Sequence, residues 1–250
     1  MKKTGIILFT AAFMLISGCA ELTQVLQTVS DLPLTEEEVI AGLREALTIG
    51  SRNSADILSA EDGYYLDETV KVLLPDEAMI IVDNISKLPG GEQLVADVIL
   101  RINRAAEDAA KDVTPIFVNS IKAMTIRDGF NILNGQDNAA TEYLRSTTWN
   151  DLYSLYKPKI QKSTEKDIIG NISTIDSWNA LTSKWNNVAN TVAGKLAGLK
   201  PVNVDLNEFL TEKALNGVFV KLEAEEMKIR KDASARVTAL LKRVFGSLDK

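Results

Sequence analysis

The stretch RDGFNILNGQDNAATEYLR, residues 127–145, interrupts an otherwise amphipathic helical sequence with two glycines and a run of polar residues. Gly135 is placed to end one helix, because glycine readily adopts the left-handed conformation that satisfies the last helical carbonyls. Asp137 is placed to cap the next helix, since an aspartate side chain accepts hydrogen bonds from free amides. The stretch therefore predicts a tight junction between two helices. The alternative is a site for a cation or polar ligand formed by Asp128, Asp137 and Thr141.

Helix signals recur on both sides of this junction. Thr35 and Glu38 form a capping box, and apolar residues follow at helical spacing. Further helices are expected over 92–112, 206–231 and 233–246, and from the junction to Pro158. Another helix is expected to begin after Thr114, with Thr114 as its N-cap and Pro115 as its first residue. No linker rich in Pro, Gly or Ser divides the chain. The sequence therefore predicts a mainly α fold with a single multi-helix domain over residues 35–250.

The stretch GYYLDETVKVLLP, residues 63–75, breaks the helical pattern. Its tyrosines and valines favour a strand, so it predicts a short β-hairpin or an extended arm. Pro75 is expected to end this segment. Asp76 is then placed to cap a helix that runs to about residue 88.

The N-terminus has the pattern of a secretory signal. Lys2 and Lys3 precede a short apolar run, which predicts a signal peptide over residues 1–18 rather than a membrane span. The ending ISGC resembles a bacterial lipobox, which implies cleavage before Cys19 and lipidation of its sulfur. The alternative is a plain secreted protein in which Cys19 only ends the apolar run. Residues 19–34 would then be a lipidated tether.

The residue after the cysteine and the charge of the chain indicate location and partners. In many Gram-negative bacteria an aspartate at the position of Ala20 keeps a lipoprotein in the inner membrane. The lipobox resemblance therefore implies the outer membrane, with the body facing the periplasm. Removal of Lys2 and Lys3 leaves 26 basic against 34 acidic residues. This acidic balance argues against nucleic acid as a partner, and equally against anionic lipid headgroups.

The composition excludes several chemistries. The chain has no histidine, and its one cysteine is Cys19. Catalysis by Ser-His-Asp or Cys-His, Cys/His zinc sites and haem ligation are therefore excluded. No P-loop, GxGxxG or EF-hand pattern is present, and no metal or cofactor site is predicted. Paired carboxylates, a Ser-Lys pair or a cation held by oxygens are the chemistries that remain.

Five phrases together resemble one protein family. They are GLREALTIG (42–50), VKVLLP (70–75), the stretch 102–145, LTEKALNGVFVKLEAEEMKIRKD (210–232) and VTALLKRVFG (237–246). In this order they are similar to the DUF4197 family of bacterial envelope proteins. The resemblance implies the compartment and an α-rich fold, but no particular reaction. The family hallmarks that it implies are residues 103–107, 128–129, 135–137 and the acid pair 225–226 with Arg230.

Two of these hallmarks place polar residues on helix faces. Asn103 and Glu107 are four residues apart, as are Glu226 and Arg230, so each pair shares one face. Arg104 and Asp108 form another such pair on the 92–112 helix. All of these pairs are interpreted either as ordinary helix pairing or as parts of a site. If the first face is buried, Arg230 is the expected partner of Glu107. The candidate polar cluster is Asn103, Arg104, Glu107, Asp128, Asp137, Thr141, Glu226 and Arg230, with no residue assigned as catalytic.

Three functions are compatible with these features. The first is a non-catalytic, lipid-anchored envelope protein that binds an envelope protein or a small-molecule ligand. The second is a carboxylate-dependent enzyme that acts on envelope glycans, which requires two carboxyl groups about 5–9 Å apart in an open cleft. The third is a carrier of an apolar ligand, which requires an unfilled apolar cavity between helices.

Overall fold

Helices make up the fold. The computed structural model describes residues 32–127 and 129–249, and this part of the chain contains no β-strand. Its helices are α1 (Glu36–Ser59), α2 (Met79–Asp83), α3 (Gly91–Ala110), α4 (Val113–Ala123), α5 (Gly129–Leu133), α6 (Ala139–Thr164), α7 (Thr174–Ala189), α8 (Val192–Leu196), α9 (Leu206–Lys231) and α10 (Ala239–Gly246). The mainly α prediction is confirmed. The signal peptide, Cys19 and Asp128 lie outside the described residues.

Helix α1 begins as its sequence predicts. The Thr35 side chain accepts a hydrogen bond from the amide of Glu38, and the Glu38 carboxylate accepts one from the amide of Thr35. This reciprocal capping box satisfies two amides that have no partner within the helix. The side chains of Val39, Leu43 and Leu47 then recur at helical spacing and are fully buried. Helix α1 contacts α3, α4, α5, α9 and α10, so it lies at the centre of the fold.

No hairpin forms over residues 63–75. The chain passes through turns up to Val70 and then runs extended from 71 to 75, which matches the extended arm and not the hairpin. Val70, Val72 and Leu74 are buried while Leu73 is exposed, as alternation in an extended chain requires. The amide side chain of Asn103 bonds to both backbone groups of Val72, so it occupies the edge that a second strand would use.

Four helix boundaries differ from the prediction. The helix expected over 233–246 begins only at Ala239, after a separate 3₁₀ turn over Ala233–Ala235. Asp76 caps no helix, because Pro75 takes the N-cap position of a 3₁₀ turn that leads into the short α2. Helix α4 begins at Val113 rather than after Thr114, so Pro115 lies at its third residue, where a missing amide still breaks no helical bond. Helix α6 continues through Pro158. Both Pro158 and Ser154, whose carbonyl loses its helical donor, are exposed, so water can satisfy that carbonyl.

The buried hydrophobic side chains form one cluster, with α9 packed between α1 and α6. Trp185, Tyr156 and Phe219 are among its largest fully buried side chains. Burial raises the pKa of Tyr156, whose hydroxyl has no hydrogen-bond partner within the described residues. The buried tryptophans and Tyr156 belong to the core and do not line a groove for sugars or lipids.

Helices α7 and α8 form the most peripheral part of the bundle. Helix α7 packs on α3, and α8 packs on α7. The indole of Trp185 donates to the carbonyl of Lys200 at 2.9 Å, and the side chain of Asn186 bonds to both the amide and the carbonyl of Val202. These bonds fasten the segment after α8 to α7. Within residues 32–127 and 129–249, no helix has the length and apolar character needed to cross a membrane.

The crossing of α1 and α10 depends on Gly42. A Cβ atom at this position would lie 2.7–2.9 Å from the side chain of Val244. We expect Gly42→Ala to lower the free energy of unfolding by about 1–3 kcal/mol, because overpacking forces two buried helices apart. Denaturant unfolding of the mature chain measures this change. Gly246→Ala is the matched control, since the nearest atom to its Cβ would be 3.8 Å away. Equal stability of the two variants would contradict the close crossing.

Candidate functional site

The predicted polar cluster separates into two groups. Asn103, Arg104 and Glu107 lie on α3 and hold the segment between α1 and α2. Thr141, Glu226 and Arg230 lie where α5, α6 and α9 meet. Within the described part of the chain, no hydrogen bond or ion pair joins the two groups. The structure therefore brings together two sets of residues and not one site.

Asn103 holds the extended segment. Its fully buried side chain accepts a hydrogen bond from the amide of Val72 at 2.8 Å and donates one to the Val72 carbonyl at 2.7 Å. It also donates to the carbonyl of Ile99 in the preceding turn of α3. All these partners are backbone groups whose burial without a hydrogen bond would be costly. Asn103 thus provides hydrogen-bond partners for the backbone of the extended segment along one of its edges.

Glu107 holds the turn that follows α1. One carboxylate oxygen accepts hydrogen bonds from the amides of Tyr64 and Tyr65, both at 3.1 Å, and the other accepts one from Arg104 at 2.6 Å. Arg104 also donates to Asp62, a residue with the unusual backbone angle φ of +66°. Burial lowers the pKa of Arg104, but Glu107 and Asp62 raise it by more, so the guanidinium stays charged.

Two predicted pairings on α3 are wrong. Glu107 pairs with Arg104 on its own helix and not with Arg230 of α9. Arg104 in turn does not pair with Asp108, which binds Lys111 and Lys166 and accepts a hydrogen bond from Ser163. Burial raises the pKa of Asp108, but these donors lower it by more. Its ion pairs therefore stabilise the fold above the ordinary carboxyl pKa and weaken as the pH falls through the lowered value.

Glu226 caps the start of α6 from another helix. Its carboxylate accepts hydrogen bonds from the amides of Ala140 and Thr141, at 3.0 and 2.7 Å, and from the Thr141 hydroxyl at 2.6 Å. The same carboxylate pairs with Arg230 at 2.8 Å, and the Glu226 side chain is only 1% exposed. A carboxylate is stabilised here because free amides give a helix N-terminus partial positive charge.

Arg230 satisfies the opposite kind of helix end. It donates to the carbonyls of Leu133 and Ile132, at 2.6 and 3.0 Å, where α5 ends. Glu36 of α1 accepts a hydrogen bond from the amide of Gly129, where α5 begins. Side chains from α1 and α9 therefore cap α5 at both ends and α6 at its start.

The local caps predicted for this junction do not form. The carboxylate of Asp137 forms an ion pair with Lys231, and the N-cap of α6 is Asn138, which makes no side-chain cap bond. Gly135 is outside the left-handed region, although its amide does donate to the carbonyl of Ile132. A Cβ at Gly135 would lie 3.0 Å from Ala139, so close packing is the constraint at this position. Glu226 therefore performs the capping that was predicted for Asp137.

Several residues that complete these groups were missed from sequence. Glu225 points to α1, where Asn53 donates to it, which agrees with only one of the adjacent acids joining each cluster. Arg236 donates to the carbonyls of Ile229 and Arg230 and thereby caps the end of α9. A basic residue shortly after a helix end is a usable signal for such a cap. Asp62 and Asn53 carry no comparable signal.

Several clefts open on the described surface, one of them beside Arg104 and Glu107. A cleft of about 310 Å³ is lined by Ser59, Glu61, Arg104, Glu107, Asp108, Lys111, Ile168 and Ile169. A second, of about 320 Å³, lies between the extended segment and α9, and a groove of about 830 Å³ lies between α4 and α6. All three open to solvent. The acids of the first cleft each pair with a lysine or arginine.

The arrangement provides little for metal or acid–base chemistry. No three acidic or cysteine side chains come close enough to hold a metal ion within residues 32–127 and 129–249. Both oxygens of Glu107 and of Glu226 accept hydrogen bonds. A general base needs a carboxylate within reach of its substrate, and these carboxylates are already used by the fold.

Comparison with known proteins gives one match. The chain belongs to the DUF4197 family, described as proteins of unknown function, which matches residues 33–246. The predicted family is thereby confirmed. No curated protein and no solved structure matches the chain.

We expect Glu226→Gln to lower the free energy of unfolding by about 3 kcal/mol, because it leaves the charge of Arg230 buried without a partner. Denaturant unfolding of the mature chain measures the loss. Asp137→Asn is the control, since the ion pair between Asp137 and Lys231 lies at the surface and should contribute far less. Similar effects of the two substitutions would contradict the capping role of Glu226.

We expect Asn103→Ala to release the extended segment, because Val72 would lose both of its side-chain hydrogen bonds. Hydrogen exchange of the Val72 amide should become at least about tenfold faster, as a loss of about 1.4 kcal/mol or more in local stability requires. Asn190→Ala, at an exposed helix end, should leave this exchange unchanged. Unaltered protection of Val72 in the Asn103 variant would contradict the assignment.

Proposed function

We propose that the chain is a lipid-anchored protein of the bacterial cell envelope that acts by binding rather than by catalysis. Membership in a family of unknown function assigns it no activity. The anchor is Cys19, and the body binds an envelope protein or a small molecule. The outer membrane is the proposed location, with the body facing the periplasm.

One observation carries the non-catalytic part of the proposal. The hallmark carboxylates that the structure describes are engaged by backbone amides, hydroxyls or cations: Glu107 by Tyr64, Tyr65 and Arg104, Glu226 by α6 and Arg230, and Asp137 by Lys231. Residues used in this way hold segments of backbone together. Carboxylates used in this way maintain the shape of the molecule, which is what a binding protein requires.

The sequence supports the anchored part of the proposal. The only cysteine of the chain follows a short signal sequence and the lipobox-like residues Ile16, Ser17 and Gly18. Several buried acyl chains hold a protein to a membrane almost permanently. Twelve residues lie between Cys19 and Leu32, so the body would lie within about 45 Å of the bilayer even if they were fully extended.

A carboxylate-dependent enzyme is the second candidate, and the cleft beside Arg104 favours it. Glu61, Glu107 and Asp108 all line that cleft, which is open to solvent. The enzyme function would require one of them to leave its ion pair when substrate binds. A carrier of apolar ligands has less support, because the clefts described above are open grooves rather than enclosed apolar cavities.

Complementation of a deletion strain separates binding from catalysis. We expect Glu107→Gln to complement at temperatures below its own melting temperature, because the substitution affects stability and not chemistry. The same result is expected for Asp108→Asn, a second acid of the cleft. A variant with wild-type melting temperature and abundance that fails to complement would establish a chemical role for that carboxylate.

We expect Cys19→Ser to move the protein from the membrane fraction to the soluble fraction, because the serine has no sulfur to carry the diacylglycerol. Fractionation with metabolic labelling by palmitate measures both location and lipidation. Ala20→Ser keeps the sulfur and should remain labelled and membrane-bound. An unlabelled wild-type protein, or a labelled Cys19→Ser variant, would overturn the proposed anchor.

A further inference from the structure

The short helix α8 presents two apolar side chains to water. Val192 and Leu196 are 78% and 85% exposed, more than any other large hydrophobic residue of the described chain. They are four residues apart, so they lie on the same face of the helix. Scattered exposed apolar residues are ordinary, but two on the same face of one short helix form a defined apolar surface, which we call the tip.

The fold holds this tip in place. Thr191 caps α8 by accepting a hydrogen bond from the amide of Gly194, and Gly194 packs so closely on the carbonyls at the end of α7 that a side chain would overlap them. Beyond α8, the bonds from Trp185 to Lys200 and from Asn186 to Val202 close the segment onto α7. Val192 and Leu196 are therefore exposed by a well-fastened structure.

The charge around the tip is opposite to that of the whole chain. The chain has 34 acidic and 28 basic residues, but residues 177–204 contain three lysines and no acid. Lys184, Lys195 and Lys200 are all exposed, and none forms an ion pair with any described residue. The acidic net charge predicts weak affinity for anionic headgroups, yet this segment is a basic region with an apolar end.

We infer that this tip, residues 190–200, inserts into the surface of an anionic phospholipid bilayer. Val192 and Leu196 would enter the boundary between headgroups and acyl chains while Lys195 and Lys200 contact phosphate groups, as in interfacial segments generally. A second copy of the chain fits less well. A symmetric contact would place lysines opposite lysines, and two apolar side chains are few for a stable interface, which buries about 800 Å² per partner.

The inference deepens the proposed function, because the lipid anchor would bring the tip within reach of the bilayer. Once Cys19 is inserted, binding of the tip is intramolecular and its effective concentration is high. A weak contact then suffices to fix which face of the body is turned towards the membrane. The contact itself requires only lipids of the right charge and not the anchor.

Vesicle sedimentation tests the contact without the anchor. The protein is the mature chain from residue 19 with Cys19→Ser, and the vesicles are phosphatidylglycerol with phosphatidylethanolamine at a ratio of about 1:3, or phosphatidylcholine alone. We expect about tenfold stronger binding to the anionic vesicles, and a loss of this preference in high salt, because the lysines attract anionic headgroups.

Two tip variants and one control identify the residues responsible. The double substitution Val192→Ser and Leu196→Ser should weaken vesicle binding about tenfold, and Lys195→Gln with Lys200→Gln should remove the preference for anionic lipid. Leu66→Ser with Val237→Ser, at two other exposed positions, should change neither. Circular dichroism should give the same melting temperature for all variants, since these side chains lie outside the core.

Two kinds of result would overturn the inference, one from the vesicle assay and one from the oligomeric state. One is equal binding to both kinds of vesicle, or binding that the tip substitutions leave unchanged. The other is a concentration-dependent dimer in sedimentation equilibrium that the tip substitutions abolish, which would make the tip an interface between copies. Failure of the Cys19 experiment would remove the anchor and leave this vesicle test unaffected, so the two proposals fail separately.

Discussion

The buried ion pair between Glu226 and Arg230 is the interaction on which the packing of the helices depends. Its carboxylate binds the free amides at the start of α6, and its guanidinium binds the free carbonyls at the end of α5. Each charge therefore meets the helix end of opposite partial charge as well as its ionic partner. A pair buried in an apolar core often contributes little net stability, but here its hydrogen bonds satisfy backbone groups that would otherwise be buried without partners.

The same physical solution recurs on α3. The side chain of Asn103 forms with Val72 the hydrogen bonds that a neighbouring strand would form. The carboxylate of Glu107 accepts hydrogen bonds from two consecutive amides of the turn after α1. In both groups a side chain from a long helix bonds to the backbone of a segment that has little regular structure. This explains how a helical protein maintains an extended segment and a five-residue helix in fixed positions. It also explains why polar residues that look like a site in sequence can be structural.

The sequence predicted the helices well and the contacts between them poorly. Thr35 and Glu38 were predictable because a capping box involves residues three apart, and the buried positions of α1 followed from their spacing. The predicted cap Asp137 is wrong, because the sequence pattern favours a nearby acceptor whereas the actual acceptor, Glu226, is 86 residues away from the amide of Ala140. Likewise, the β-propensity of residues 63–75 was a correct sign of extended backbone. No local pattern indicated that an asparagine side chain would take the place of a second strand.

The long sequence separation of these contacts has a consequence for folding during synthesis. The start of α6 has no carboxylate to bind until α9 has been made, and Arg243 near the end of the chain pairs with Glu38 in the first turn of α1. A growing chain that lacks its last forty or so residues would leave both helix ends and much of the core unsatisfied, so it has little to gain from folding early. Such a polypeptide stays largely unfolded during synthesis, and it reaches its final shape only after α9 and α10 have been made.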